Sequence, residues 1–571
     1  MVAVLLFGLV FLPVCWLYGW AALRLAGRLF YARPIEGQPA LVFVAGIISL
    51  TTIASFFSLF VPLNWQSVGL ILMGAAAFFF LGQRSGAIRI NWRDIRLSRV
   101  ILPVLVLFIL AAAAVVENAT HRPTNPDTGI YHAQAIRWME TYPAVPGLGN
   151  LHSRLAYNSS WLVLNAVFSF AFLGFQSFRL VPAMLFLIAV FDFSRGVYGW
   201  LRGRGSPANL LRMMLLPLAF YLFGSQTSSP GTDLPVILIL WILAAAWLES
   251  GGEDNTVGVS GADLVLFAGA IFLVTVKLSA IPLVLMAVWV VLRWVHKPGL
   301  VLKFALLAGL LLVPWMARNY TLSGYLVYPF PALDWFNPDW KIPFALAFRE
   351  QEIILAWARI PKLDASEVLA MPFKEWFPIW LDDLTRNQRL VLIAAAFSPG
   401  LAFLDERLNR FDFKKGKGII HPTLQRAGLY LILFTGLVYW LATAPDLRFG
   451  YGFVILVSAV PVAGILAGLD RRLPRTIGWI RLLIVAGLIF YQIFFLVRSF
   501  EQKDAANRLL LPVDYPQHAS EPCPIENATV LCANEVSYTQ CWYQPFPCIP
   551  KPIEDVAKRG ADWGEGFRAT P

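Results

Sequence analysis

Apolar runs about twenty residues long, separated by shorter polar stretches, recur along the whole chain. A run of that length matches the hydrocarbon thickness a helix must cross. Strand-like alternation is absent, which argues against a membrane β-barrel. The expected spans start with residues 2–23, 41–61, 68–81 and 101–116. They continue with 180–197, 210–223, 234–248, 264–276, 281–295 and 302–316, and end with 390–404, 429–442, 453–469 and 480–497. The pattern predicts an all-α polytopic membrane protein with about 14 transmembrane helices.

Basic residues between the runs orient them. Arg84, Arg89, Arg93, Arg96 and Arg99 share one loop, Arg407, Arg410, Lys414, Lys415 and Lys417 a second, and Arg471, Arg472 and Arg475 a third. The positive-inside bias makes these loops cytoplasmic and puts both termini outside. By parity the acidic loop 249–254 is cytoplasmic too. The apolar stretch 161–172 would break this alternation if it crossed, because Arg195, Arg202, Arg204 and Arg212 would then lie outside. It is also short for a span, so it is expected to lie in the outer interface. No small-residue cleavage site follows the first run, which reads as a span and not as a signal peptide.

Composition agrees. The 571 residues are 58% hydrophobic and 14% charged, far from the balance of a soluble domain. A formal charge of +11 would suggest nucleic acid in a soluble protein. Here the cations fall between spans, so the expected partner is the bilayer and no nucleic acid is expected.

Two outer segments are long. The first, 117–177, carries Asp127, His132, Glu140, His152 and Arg154, too many polar groups for a lipid-facing helix. Residues 126–129 read as a turn with Asp127 as N-cap, and residues 130–142 as an interfacial helix. The second, 318–388, is too long for an idle connection. The polar tail, 498–571, holds Cys523, Cys532, Cys541 and Cys548, which read as two disulfides in an oxidising compartment. Three pairings are open; neighbours, Cys523 with Cys532 and Cys541 with Cys548, are preferred. A tetrathiolate metal site would lack any C-x-x-C spacing. The chain thus divides into three N-terminal spans (1–100), a membrane core with the first outer loop (101–317), an outer subdomain (318–388), C-terminal spans (389–497) and the tail.

Asp233, Lys277, Arg318 and Arg448 also fall near the outer ends of apolar runs, with the loop residues Asp127 and His132. Singly, an Asp there is often a helix cap, and a Lys or Arg often snorkels to headgroups. Together, carboxylates and cations at one membrane depth form a candidate site. Lys and Arg suit a phosphate leaving group, and a carboxylate suits removal of a proton from a hydroxyl or amine. His132, His152 and Arg154 are candidate substrate contacts. No Walker-type glycine loop is present, so a nucleotide donor is not expected. No Asp-x-Asp or His cluster occurs in the first loop, so no cofactor is demanded, although a divalent ion is compatible.

The order of these segments carries a resemblance. An outer loop with Asp127 leads through FLGFQSFRL to Asp233, then to VKLS around Lys277, RNYTLSGYLVYP and finally PDLRFGYG. Over about residues 117–469 this resembles the GT-C superfamily of membrane glycosyltransferases that use polyprenyl-phosphate sugars. The resemblance implies an inverting transfer to a saccharide, lipid or protein acceptor outside the cytoplasmic membrane. It implies Asp127 as general base with Glu140 as runner-up, Lys277, Arg318 and Arg448 on the donor phosphate, and Asp233 as a second acidic position. In that superfamily the first outer loop usually follows the first span; here it follows the fourth, and the cysteine-bearing tail is not a general feature. PDTGIYHAQAIRW and VPGLGNLHSRLAYNSS are similar to a group of uncharacterised bacterial multi-pass proteins, which carries no activity over. Two other readings are an O-antigen-type polymerase or ligase, with its chemistry in 318–388, and a lipid-linked saccharide transporter or flippase. The transporter needs polar groups through the full bilayer depth, whereas these gather at one face.

Overall fold

Inside a bilayer every backbone N–H and C=O must pair within its own segment, so the apolar runs form helices. The computed structural model describes residues 1–35, 37–86, 100–250, 258–409, 422–472, 477–500, 506–534 and 539–570. The basic residues Arg89, Arg93, Arg96, Arg99, Arg410, Lys414, Lys415, Lys417 and Arg475, and most of the acidic loop 249–254, lie outside the described residues.

Four helices come first: α1 (Val2–Phe30), α2 (Pro39–Phe57), α3 (Trp65–Arg84) and α4 (Ile101–Asn118). The first loop holds α5 (Ala133–Thr141), α6 (Leu148–Leu151) and α7 (Ser160–Val167). The membrane core follows with α8 (Val181–Leu201), α9 (Pro207–Phe223), α10 (Asp233–Ser250), α11 (Gly261–Val276), α12 (Val284–Leu292) and α13 (Pro298–Ser323). The second long segment holds α14 (Phe344–Arg359), α15 (Ala365–Ala370) and α16 (Phe373–Asp383). Then come α17 (Arg386–Ala396), α18 (Ser398–Asn409), α19 (Pro422–Thr443), α20 (Leu447–Arg472) and α21 (Ile477–Phe500).

Among the described residues, 11 helices are long and apolar enough to cross a membrane, or 12 if α17 and α18, bent by 49° at Phe397, act as one span. The expected spans 264–276 and 281–295 form α11, of 16 residues, and α12, of 9, both shorter than the eleven long helices. Lys277 adopts an extended backbone between them, and the turn through Pro282 winds as 3-10 helix before α12 begins. The stretch 161–172 is shorter still. Its helix α7 has 8 residues, all buried in protein, and only Phe172, Leu173 and Phe175 beyond it present apolar surface.

Successive helices run between two faces. At one face Val2 N–H donates to Leu509 O, Leu63 N–H to Met139 O and Val513 N–H to Thr120 O. At the other, Arg33 N–H donates to Val259 O, Arg24 meets Ser85, and Arg481 pairs with Asp470. The most enclosed of the long helices is α10, apolar all round as a central helix must be. α2 packs against α7, α11 and α13, so the N-terminal helices join this core. α1 and α2 meet backbone to backbone at Gly19 and Gly46: an added Cβ would lie 1.8 Å from Val42 O and 1.9 Å from Cys15 O respectively.

The tail builds a small sheet of β1 (Ser520–Ile525), β2 (Ala528–Ala533) and β3 (Cys548–Ile549), beside an antiparallel pair β4 (Val556–Lys558) and β5 (Phe567–Ala569). Its disulfides are the expected neighbour pairs, Cys523–Cys532 and Cys541–Cys548. The tail covers the first loop. Trp542 N–H donates to Gly129 O at 2.8 Å, and Phe567 N–H to Pro146 O at 3.0 Å.

Candidate functional site

Asp127 opens a single π-helical turn, Thr128–His132, that continues into α5. Such turns are concentrated at functional sites. The expected N-cap role is corrected by the geometry. Asp127 has helical backbone angles, and its carboxylate accepts no capping N–H; Asn125 Oδ1 instead accepts the Asp127 N–H at 3.0 Å. The carboxylate is thereby free to face side chains. Asp127 Oδ2 lies 3.0 Å from Arg448 Nη1, and Oδ1 lies 3.4 Å from Arg154 Nη1.

Each arginine holds a second carboxylate. Arg448 Nε is 2.9 Å from Asp446 Oδ2, and Arg154 Nε is 3.9 Å from Glu350 Oε1. Glu350 also accepts from Ser153 at 2.8 Å and from Tyr157. A second ion pair joins Lys277, between α11 and α12, to Asp233 in the first turn of α10. Lys277 Nζ sits 3.7 Å and Arg448 Cζ 4.8 Å from the centre of the Phe449 ring, so the two cations share one aromatic ring. Burial opposes ionisation of Asp127, yet Arg448, with Arg154 and Lys277 behind it, holds its carboxyl below the usual range.

His132 is buried beside Tyr131, with Nδ1 3.3 Å from Thr128 Oγ1 and Nε2 without a partner. Burial, against the pull of Asp127, lowers its pKa to about 4, so the ring is neutral at pH 7. This has a measurable consequence. The unfolded chain takes the proton more readily, so His132 adds stability above its ordinary pKa of 6.5 that is lost as pH falls towards 4. Between pH 7 and pH 5 the loss is about 2 kcal/mol. His132→Gln should therefore reduce the drop in melting temperature between those pH values. Glu140, whose pKa burial raises, acts in the opposite sense and contributes equally to both proteins.

The structure brings Asp127, His132, Arg154, Asp233, Lys277 and Arg448 to one place. It does not bring three other sequence candidates there. Glu140 is the tail's anchor: Tyr543 OH donates to it at 2.5 Å and Ser177 Oγ at 3.0 Å. His152 has no hydrogen bond or ion pair to the cluster among the described residues, and burial, with the Arg154 charge, lowers its pKa to about 3. Arg318 is buried at the end of α13, donating to Ser58 Oγ at 2.9 Å, with no carboxylate within ion-pair distance among the described residues. Asp446, Glu350 and Phe449 were not singled out by sequence. Asp446 could have been, since it shares a short turn with Arg448; Glu350 lies in a segment with no pattern pointing to it.

Fold and site together define a multi-pass helical membrane protein with a charged cluster under a disulfide-linked cap. The chain belongs to the family described as a domain of unknown function, DUF8201, whose model matches residues 1–455. That match ends seven residues past Arg448 and so includes every residue of the cluster. No curated protein and no solved structure matches the chain.

Proposed function

We propose that this protein is an inverting glycosyltransferase of GT-C type, moving a sugar from a polyprenyl phosphate to an acceptor on the extracytoplasmic face of the cytoplasmic membrane. The observation that supports it is the Asp127 carboxylate held between Arg448 and Arg154 at the ends of apolar helices, beside Lys277. A donor of this class carries its phosphate at headgroup depth and its chain in the bilayer. Arg448 and Lys277 bind that phosphate, and in doing so Arg448 turns from Asp127 and releases a proton acceptor. Asp127 takes the proton from the acceptor hydroxyl or amine as its oxygen or nitrogen bonds to the anomeric carbon. The bond from that carbon to the phosphate oxygen breaks on the opposite side, and the phosphate leaves with the electron pair. Arg448 and Lys277 stabilise the charge that grows on it. Asp127 then passes its proton to water. Arg154, tied to Glu350, keeps Asp127 in place.

The test is direct. Purified protein is supplied with a panel of polyprenyl-phosphate sugars and candidate acceptors, and released polyprenyl phosphate is counted. One donor should be consumed in an acceptor-dependent way; no turnover of any member of the panel counts against the proposal. Arg448→Lys keeps the charge but loses the planar two-nitrogen contact. It should raise the donor KM about tenfold or more, since a charged hydrogen bond is worth about 1.5–3 kcal/mol.

A further inference from the structure

Arg318 and Arg154 share the wall of a cavity of about 20 Å³ on the inner side of the first loop. The rest of the wall is Asn158, Ser159 and the apolar side chains of α5–α7 and α13. It contains two guanidinium groups and no carboxylate. Arg154 is neutralised elsewhere, by Asp127 and Glu350. Arg318 is not: only 6% of it is exposed, its one hydrogen bond among the described residues goes to the neutral Ser58 hydroxyl, and its Nε has no partner. A fully desolvated cation is retained in a protein only when something of opposite charge or several dipoles replace its water. The apolar wall supplies few dipoles. Ser159 Oγ is already donating to Val276 O and Asn158 Nδ2 to Trp315 O, which leaves the unpartnered Asn158 Oδ1 as the one free side-chain dipole in the wall.

We propose that this cavity is a binding site for a halide ion, which takes chloride as the counter-ion of Arg318. The size of the space selects the class. A single water-sized particle needs about 10–15 Å³ of such volume, so one small ion fits and a phosphate or carboxylate does not. Asp127 is not in the wall, and the ion is a structural ligand of the loop. It does not depend on the glycosyltransferase reading.

Thermal unfolding of the detergent-purified full chain in chloride and in gluconate, at equal ionic strength, tests this. A ligand that binds only the folded state raises the melting temperature in a saturable way. Chloride should raise it by several degrees over gluconate, and bromide should substitute for chloride. Arg318→Met keeps the length of the side chain and removes the charge; it should abolish the difference between the two salts. Equal melting temperatures of the parent in chloride and gluconate overturn the proposal, as does an Arg318→Met protein that keeps the full chloride effect. Should that variant not fold, equilibrium binding of radioactive chloride to the parent decides: one saturable site displaced by bromide supports it, and none overturns it.

Discussion

Asp127→Asn should yield a protein that folds and inserts normally but turns over at least about a hundredfold more slowly, the range lost when a general base is removed. Normal folding is expected because the carboxylate does little for the backbone. It caps no helix, and the turn before it is held by Asn125. Nor does its loss strand a buried charge. Arg448 keeps Asp446 and Arg154 keeps Glu350, so each guanidinium retains a carboxylate. Asparagine has the same shape and cannot accept the proton. The two readouts separate cleanly: melting temperature reports the fold, and released polyprenyl phosphate reports the base. An Asp127→Asn protein with the parent rate would remove Asp127 from the mechanism and leave Asp233 as the carboxylate to test, since Glu140 is locked into the tail interface.

Membrane class, helix order and disulfide pairing were legible because each rests on a local rule. Apolar length marks a helix, and close cysteines in a tail find each other. Grouping Asp127, Asp233, Lys277 and Arg448 was legible for a related reason: parity of crossings puts residues at one depth without any knowledge of packing. Packing is where sequence stopped. Glu140 and Asp127 sit at similar depth in one loop, and only the tail's approach decides that Glu140 serves Tyr543 while Asp127 faces Arg448. Arg318 shows the same limit. Its depth matches the cluster, but the end of α2 places Ser58 in front of it.

The largest effect on the fold should come from Gly46→Leu. Gly46 and Gly19 are where α1 and α2 touch, and the atoms a side chain would meet are main-chain: Cys15 O at 1.9 Å for a Cβ on Gly46. A flexible side chain could swing aside, but a helix backbone can only retreat. Small residues let membrane helices approach this closely. Retreat would not stay local. The turn after α2 holds the first loop through Ser58, whose carbonyl accepts Ala144 N–H at 2.7 Å and whose hydroxyl accepts from Arg318. Overpacking a filled core costs about 1–3 kcal/mol when side chains absorb it. Parting two backbones should exceed that, so Gly46→Leu should give little monodisperse protein on size exclusion and no measurable turnover. Gly309→Leu is the control. No atom lies within 4 Å of a Cβ there, so the added side chain meets open space and the melting temperature should stay near that of the parent. Recovery of folded Gly46→Leu protein at parent yield would mean that α1 and α2 do not approach at Gly46.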